Sequence, residues 1–285
     1  MEKLTNISFV KDLLSAAGFT FSKQMGQNFL INPSVCPRMA QECGCDGIGV
    51  IEIGPGIGVL TVELAKRAKK VVSIELDTRL KPVLDVTLKN YDNVTVIYGD
   101  VLKLDLMQII NEHFADMEVC VCANLPYYIT SPIIMSLLES KLPFKAITVM
   151  VQKEAAVRLA AEVGTRQCGA VTAAVSYYAQ AKRLFNVERG SFLPAPNVDS
   201  SVIRLDVRSK PPVDISDEKA FFKVIKASFG QRRKTLSNSL SSGLGLNKDK
   251  VNLCILKAGL KATARAEELT LKDFASLTDI LFKEE

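Results

Sequence analysis

Along the first half of the chain, short runs of consecutive apolar residues alternate with stretches in which apolar residues recur every three or four positions. Val50-Ile51-Glu52-Ile53, Val71-Val72-Ser73-Ile74-Glu75, Val94-Thr95-Val96-Ile97-Tyr98 and Val119-Cys120-Val121-Cys122-Ala123 are of the first kind. Rich in β-branched residues and too short for helices, they predict strands buried on both faces. Helical spacing falls between them, at 61–69, at 79–90 with Pro82 in the first turn, and around 104–110. Strand and helix in regular alternation predict a doubly wound α/β sheet. Ahead of it, 7–17 has the pattern of a short amphipathic helix stopped by Gly18, and Asn32-Pro33 is placed to cap and start another that runs to about Cys43. Further on, 131–139 predicts a helix, 146–151 a fifth strand leading into a helix start at Gln152-Lys153, and 181–187 and 201–207 the last strands. Lys210-Pro211-Pro212 is stiff and marks a change of composition, so residues 1–209 are expected to form one domain with an N-terminal arm, and 210–285 a smaller helical domain.

The joints between these elements hold the candidate chemistry. After the first strand comes Gly54-Pro55-Gly56-Ile57-Gly58, with glycine at every second position and helical spacing resuming at once. Glycine leaves no Cβ between backbone and ligand, and it permits the turn that aims a helix N-terminus into the crevice above a parallel sheet. Gly54 and Gly56 are therefore candidate ligand contacts, although a plain strand-to-helix connection has the same look. The spacing departs from the dinucleotide fingerprint Gly-x-Gly-x-x-Gly, which counts against a nicotinamide dehydrogenase. The second strand ends in Glu75, about 20 residues past the glycines, where an acid can accept two hydrogen bonds from a ribose diol. Gly99-Asp100 closes the third strand. Asp100 either accepts from an adenine exocyclic amine or caps the helix that follows.

The fourth strand runs into Asn124-Leu125-Pro126-Tyr127-Tyr128, the most specific stretch of the chain. A proline-stiffened turn here sets the Asn124 side-chain carbonyl and the Leu125 main-chain carbonyl where both can accept from one NH₂ group, with Tyr127 placed to stack on the base that carries it. An adenine amine is a poor nucleophile because its lone pair is conjugated into the ring. Two acceptors on its hydrogens favour a pyramidal nitrogen with the lone pair directed outward. The proton can leave after bond formation, so no strong general base is required.

Two other stretches have no obvious place in the sheet. Lys23-Gln24-Met25-Gly26-Gln27-Asn28-Phe29-Leu30 is polar and glycine-containing, suited to an arm, a lid or a connector. Ser191-Phe192-Leu193-Pro194-Ala195-Pro196-Asn197-Val198-Asp199-Ser200 is a loop restricted by two prolines, which can hold Phe192 over the adenine face opposite Tyr127 or set it as a core plug.

Charge changes the picture in the second part of the chain. Residues 1–180 hold 17 Lys and Arg against 18 Asp and Glu, net −1, whereas 181–285 hold 19 against 13, net +6. That is the distribution of a nucleic-acid footprint confined to one part, or of a solvated helical surface. Arg232, Arg233 and Lys234 in succession cannot all face one core, so part of the triplet meets solvent or phosphate. Helical patterns at 218–228, 229–237, 248–258 and 271–282 surround it. Gln152, Lys153 and Arg158, at and after the helix start, are further candidate RNA contacts, and a solvated helix face accounts for them equally well. Seven cysteines without a Cys-x-x-Cys, and a single histidine, His113, lack the usual ligand set of a structural zinc site. No metal is expected. Cys120 and Cys122 read as core, and Cys43-Gly44-Cys45 as a redox pair or a coincidence at a helix end. Met1-Glu2-Lys3-Leu4 shows neither a basic leader nor an apolar run of bilayer length, so a cytoplasmic protein is expected.

Taken together, residues 50–60, 71–77, 98–100 and 124–128 resemble the S-adenosylmethionine-dependent RNA adenine N6 methyltransferases. Over nearly its whole length the chain is similar to the bacterial small-subunit ribosomal RNA adenine dimethyltransferases. The resemblance implies a Rossmann-like methyltransferase sheet with a helical C-terminal domain that helps grip RNA, S-adenosyl-L-methionine as cofactor, and two adjacent adenines as substrate within an assembling 30S particle. It further implies a monomer, and cofactor contacts at Asn28, Leu30, Gly54, Glu75, Asp100 and Asn124. Two rivals share parts of this pattern: a large-subunit adenine methyltransferase conferring antibiotic resistance, and a non-catalytic RNA-binding assembly factor. Phe192 to Ser200 and the basic stretch at 229–237 favour the small-subunit enzyme over the first. Intact Asn124, Tyr127 and glycines argue against the second.

Overall fold

The computed structural model describes residues 4–20, 26–231 and 233–282. Lys23, Gln24, Met25 and Arg232 lie outside the described residues. The strands are β1 (Phe29–Leu30), β2 (Gly49–Ile53), β3 (Lys70–Glu75), β4 (Val94–Tyr98), β5 (Val119–Asn124), β6 (Phe144–Gln152), β7 (Ala179–Val187), β8 (Phe192–Leu193) and β9 (Ser200–Val207). Seven of them form one sheet in the order β4-β3-β2-β5-β6-β9-β7. Neighbours from β4 to β6 run parallel, and β9 lies antiparallel to β6. The chain moves outward from β2 through β3 to β4, then returns to lay β5 on the other side of β2. Such a reversal opens a crevice beyond the carboxyl ends of the two central strands. The doubly wound α/β sheet expected from the hydrophobic pattern is present. β2 and β5 are buried along almost their whole length, as strands covered on both faces must be.

Local chemistry explains where the elements begin. Helix Leu106–Phe114 is capped by Asp105, whose carboxylate accepts from Gln108 N at 2.9 Å. The capping role considered for Asp100 therefore falls to Asp105. Helix Val35–Cys43 starts after Ser34, not at Pro33. Asn32 Oδ1 instead accepts from Ser34 N and Oγ, at 3.0 and 2.8 Å, which ties a turn ahead of the helix. Gly44 ends that helix in the left-handed region, φ 66°. Cys43, Cys45, Cys120 and Cys122 are all buried thiols, with Cys43 Sγ 3.3 Å from Cys120 Sγ.

The chain divides into two compact units, Met1–Ala156 with Lys182–Val207, and Val157–Ala181 with Arg208–Glu285. The second begins beside the expected break at Lys210, but it also takes in a segment from the middle of the sequence. Helix Ala170–Tyr178 explains why. Its Tyr177 ring lies 5.4 Å from Phe221 and 5.3 Å from Phe222, and Tyr178 Oη donates to Glu218 Oε1 at 2.7 Å. These contacts join it to helix Glu218–Ser228 in a core built also from helices Leu236–Leu244, Lys248–Lys257 and Leu271–Phe282. Arg233 and Lys234 are exposed in the turn before Leu236, so the helical pattern at 229–237 breaks where the basic residues stand.

Candidate active site

At the carboxyl ends of β2, β3 and β5 the register sets three chemically different groups at one level. Ile53 pairs with Ile74 on one side and with Ala123 on the other, so Gly54, Glu75 and Asn124 come next on their strands side by side. All three line one cavity. Gly54, Gly56 and Gly58 have φ of 71°, 59° and 87°, a region that costs another residue about 1–2 kcal/mol. A Cβ on Gly54 would meet nothing within 4 Å, so the backbone itself forms the wall there, while one on Gly56 would come 3.1 Å from the Phe29 ring.

Glu75 is 6% exposed. Its Oε2 accepts from Gly56 N at 3.1 Å and its Oε1 from Asp77 N at 2.8 Å, which leaves acceptor capacity on both oxygens for a pair of hydroxyls. Burial pushes its pKa up, and the two backbone donors oppose the shift. Asp77 is tied to Arg79, whose guanidinium holds the carboxyl below its ordinary range, and Gln27 Nε2 donates to it at 2.8 Å. Asp100 Oδ1 accepts from Leu102 N at 3.1 Å, and Asp100 too lines the cavity. Glycine wall, diol acceptor and a further acid fit a nucleoside bearing a thioether or sulfonium chain, as the resemblance to S-adenosylmethionine enzymes requires.

The other wall is the turn after β5. Asn124 Nδ2 points to Asn28 O at 3.5 Å, which leaves Oδ1 as an acceptor for a ligand. Leu125 N donates to Met150 O at 3.3 Å, anchoring the turn to the sheet. Tyr127 Oη shares a 2.7 Å hydrogen bond with Ser200 Oγ, and burial raises its pKa, so it remains a phenol at neutral pH. Leu125, Pro126 and Tyr127 line the same cavity as Gly54. Among the described residues no histidine lines it, and no group of three or more His, Cys, Asp or Glu is placed to hold a metal ion.

A two-stranded ribbon joins two stretches that the sequence left separate. β1 pairs antiparallel with β8, Phe29 opposite Leu193 and Leu30 opposite Phe192. Asn32 Nδ2 donates to Ser191 Oγ at 3.1 Å and Ile31 N to Ser191 O at 2.9 Å. The described part of the arm is thus part of the cavity wall, and Asn28 and Leu30 both line it. Phe192 is 3% exposed and packs in the core, yet it lines the same cavity as Tyr127. The two roles considered for it are therefore compatible. Lys153 is exposed at the start of helix Lys153–Leu159.

Sequence reasoning passed over Glu52, Ser200 and Tyr128. Glu52 sits one residue before the end of β2, fully buried, with Ser73 Oγ donating to it at 2.6 Å, and burial raises its pKa to about 7. An acid inside an apolar strand run was the available signal. Tyr128 is 60% exposed at the cavity wall.

The chain is 50% identical over 276 residues to a protein of Bacillus licheniformis named ribosomal RNA small subunit methyltransferase A, covering 95% of this chain and 94% of that one. A Bacillus cereus protein of the same name is 48% identical, over 99% of this chain and 98% of its own. Among solved structures, a dimethyladenosine transferase from Plasmodium falciparum is similar with TM-score 0.70 and 26% identity over 87% of this chain and 95% of its own. The 23S rRNA methyltransferase ErmE gives TM-score 0.67 and 25% identity over 89% and 99%. Residues 18–283 match the ribosomal RNA adenine dimethylase model, and the chain belongs to that family.

Proposed function

We propose that this protein transfers methyl groups from S-adenosylmethionine to the N6 amines of two adjacent adenines in small-subunit ribosomal RNA, within an assembling 30S particle. One observation supports the chemistry above others: Asn124 and Leu125 line the same cavity as Gly54 and Glu75, and Asn124 Nδ2 is turned to Asn28 O. The cofactor supplies an electrophilic methyl carbon on sulfur, which departs as a neutral thioether. Asn124 Oδ1 and Leu125 O accept the two N6 hydrogens, and this directs the nitrogen lone pair towards that carbon. Tyr127 and Phe192 hold the base between them, so the reacting atoms meet in one orientation. The nitrogen becomes acidic only once the new bond exists, and its proton passes to water. Glu75 holds the cofactor ribose, and Asp100 its adenine amine. Asn28 and Leu30 close the cofactor side.

Lys153 in the first unit, and Arg233 and Lys234 in the second, are exposed cations suited to phosphate. A monomer working in the cytoplasm suits such a task. Among the described residues no helix is long and apolar enough to cross a membrane.

The names of the Bacillus relatives favour small-subunit RNA over the large-subunit alternative. Primer extension on both ribosomal RNAs from a strain lacking this protein separates the two. Loss of the adenine modification in small-subunit RNA alone is expected, and loss confined to large-subunit RNA would overturn the reading.

A further inference from the structure

Tyr127 and Tyr128 are consecutive tyrosines in one short 3-10 turn, Tyr127–Ile129, and the structure treats them oppositely. A 3-10 turn advances about 120° per residue, so neighbouring side chains leave it in different directions. Tyr127 is half-buried and tied through its hydroxyl to Ser200. Tyr128 lines the same cavity but is 60% exposed. One edge of its ring faces Gly26, where an added Cβ would lie 3.4 Å from Cδ1 and 3.5 Å from Cε1. More than half of the residue is open to solvent. Such a ring contributes little to the core, since the stabilisation an aromatic offers comes from burying its faces.

The reaction proposed above creates a need for such a ring. Drawing an adenine out of its stack to reach Asn124 also strips a stacking partner from the nucleotide beside it. Proteins that hold single-stranded nucleic acid meet this need with exposed aromatic faces, which accept any base. We propose that Tyr128 is a stacking platform for the nucleotide flanking the target adenine. Tyr127 then serves the base inside the cavity and Tyr128 the base at its mouth. This inference rests on the adenine methyltransferase reading, and it names the RNA contact that reading leaves open.

The test uses the full-length protein, labelled S-adenosylmethionine, and small subunits taken from a strain that lacks the modification. Tyr128→Ala is expected to raise KM for the subunits about tenfold, with kcat within about twofold of wild type and cofactor affinity unchanged. Tyr128→Phe, which keeps the ring and loses only the hydroxyl, should match wild type. An unchanged KM for Tyr128→Ala would overturn the platform. So would a fall in its cofactor affinity or thermal stability as large as any change in KM, because the ring would then act by supporting Gly26. If wild-type protein transferred no methyl group to adenine in these subunits, the methyltransferase reading itself would fail. A wild type that methylates normally beside an unaltered Tyr128→Ala sinks the stacking role alone.

Discussion

Two turns meet at the top of adjacent parallel strands, and they are built from opposite materials. The one after β2 is mostly glycine, with positive φ at Gly54, Gly56 and Gly58, and at Gly54 and Gly56 it offers the cavity no side chain. Behind it lie two buried acids, Glu52 and Glu75. The turn after β5 is Asn-Leu-Pro-Tyr-Tyr, stiffened by proline and presenting an amide and rings. A turn that must let a ligand approach its backbone has no use for side chains. One that must hold a nitrogen and a base face needs little else. On the proposed reading the first turn takes the cofactor and the second the substrate, a division that single substitutions can break.

Asn124→Ala carries the largest expected effect. Removing one preorganised acceptor at the reacting nitrogen should lower kcat about a thousandfold, or ~4 kcal/mol, with cofactor affinity changed by less than about tenfold. Equal losses in both, read by calorimetry beside single-turnover kinetics, would erase the distinction between the turns.

Glu52→Gln comes next and is read in stability. In the unfolded chain this carboxyl titrates near 4.5, whereas in the folded protein it titrates at about 7. Between those values the folded state keeps a proton that the unfolded chain has released. Its contribution is therefore fully present below about pH 4.5 and is lost as pH rises through 7, by about 3 kcal/mol. Thermal unfolding of wild type should weaken across that window, and the Glu52→Gln profile should be flatter. Parallel profiles would show that Glu52 is not the titrating group behind the glycine turn.

Phe192→Leu has the smallest effect. It retains apolar bulk in the core and loses a ring face at the cavity, so methylation should fall about fivefold, or ~1 kcal/mol, with little change in melting temperature. Unaltered kinetics would restrict Phe192 to packing.

How much of this was legible in the sequence depended on how local each signal was. The strand runs at 50–53, 71–75 and 119–123 carry their own pattern, and the site residues that end them, Glu75 and Asn124, were placed by counting along the chain. The β1–β8 ribbon was not legible. Each partner is only two residues long, and Leu30 and Phe192 are far apart in sequence, so neither periodicity nor spacing could announce the pair. Helix Ala170–Tyr178 was missed because Ala-Val-Thr-Ala-Ala-Val is apolar on every side and shows no helical period. That omission also hid its membership of the helical unit, which depends on the distant rings Phe221 and Phe222. Asp100 was read as a possible cap because the strong cap, Asp105, lies only five residues on.

A crystal structure of the protein with cofactor and adenosine bound tests the division between the turns most directly. The account predicts Asn124 Oδ1 and Leu125 O each about 3 Å from the adenine N6, with the Glu75 carboxylate on the cofactor ribose. An Asn124 side chain turned away into packed interior, with N6 held by other groups, would contradict it.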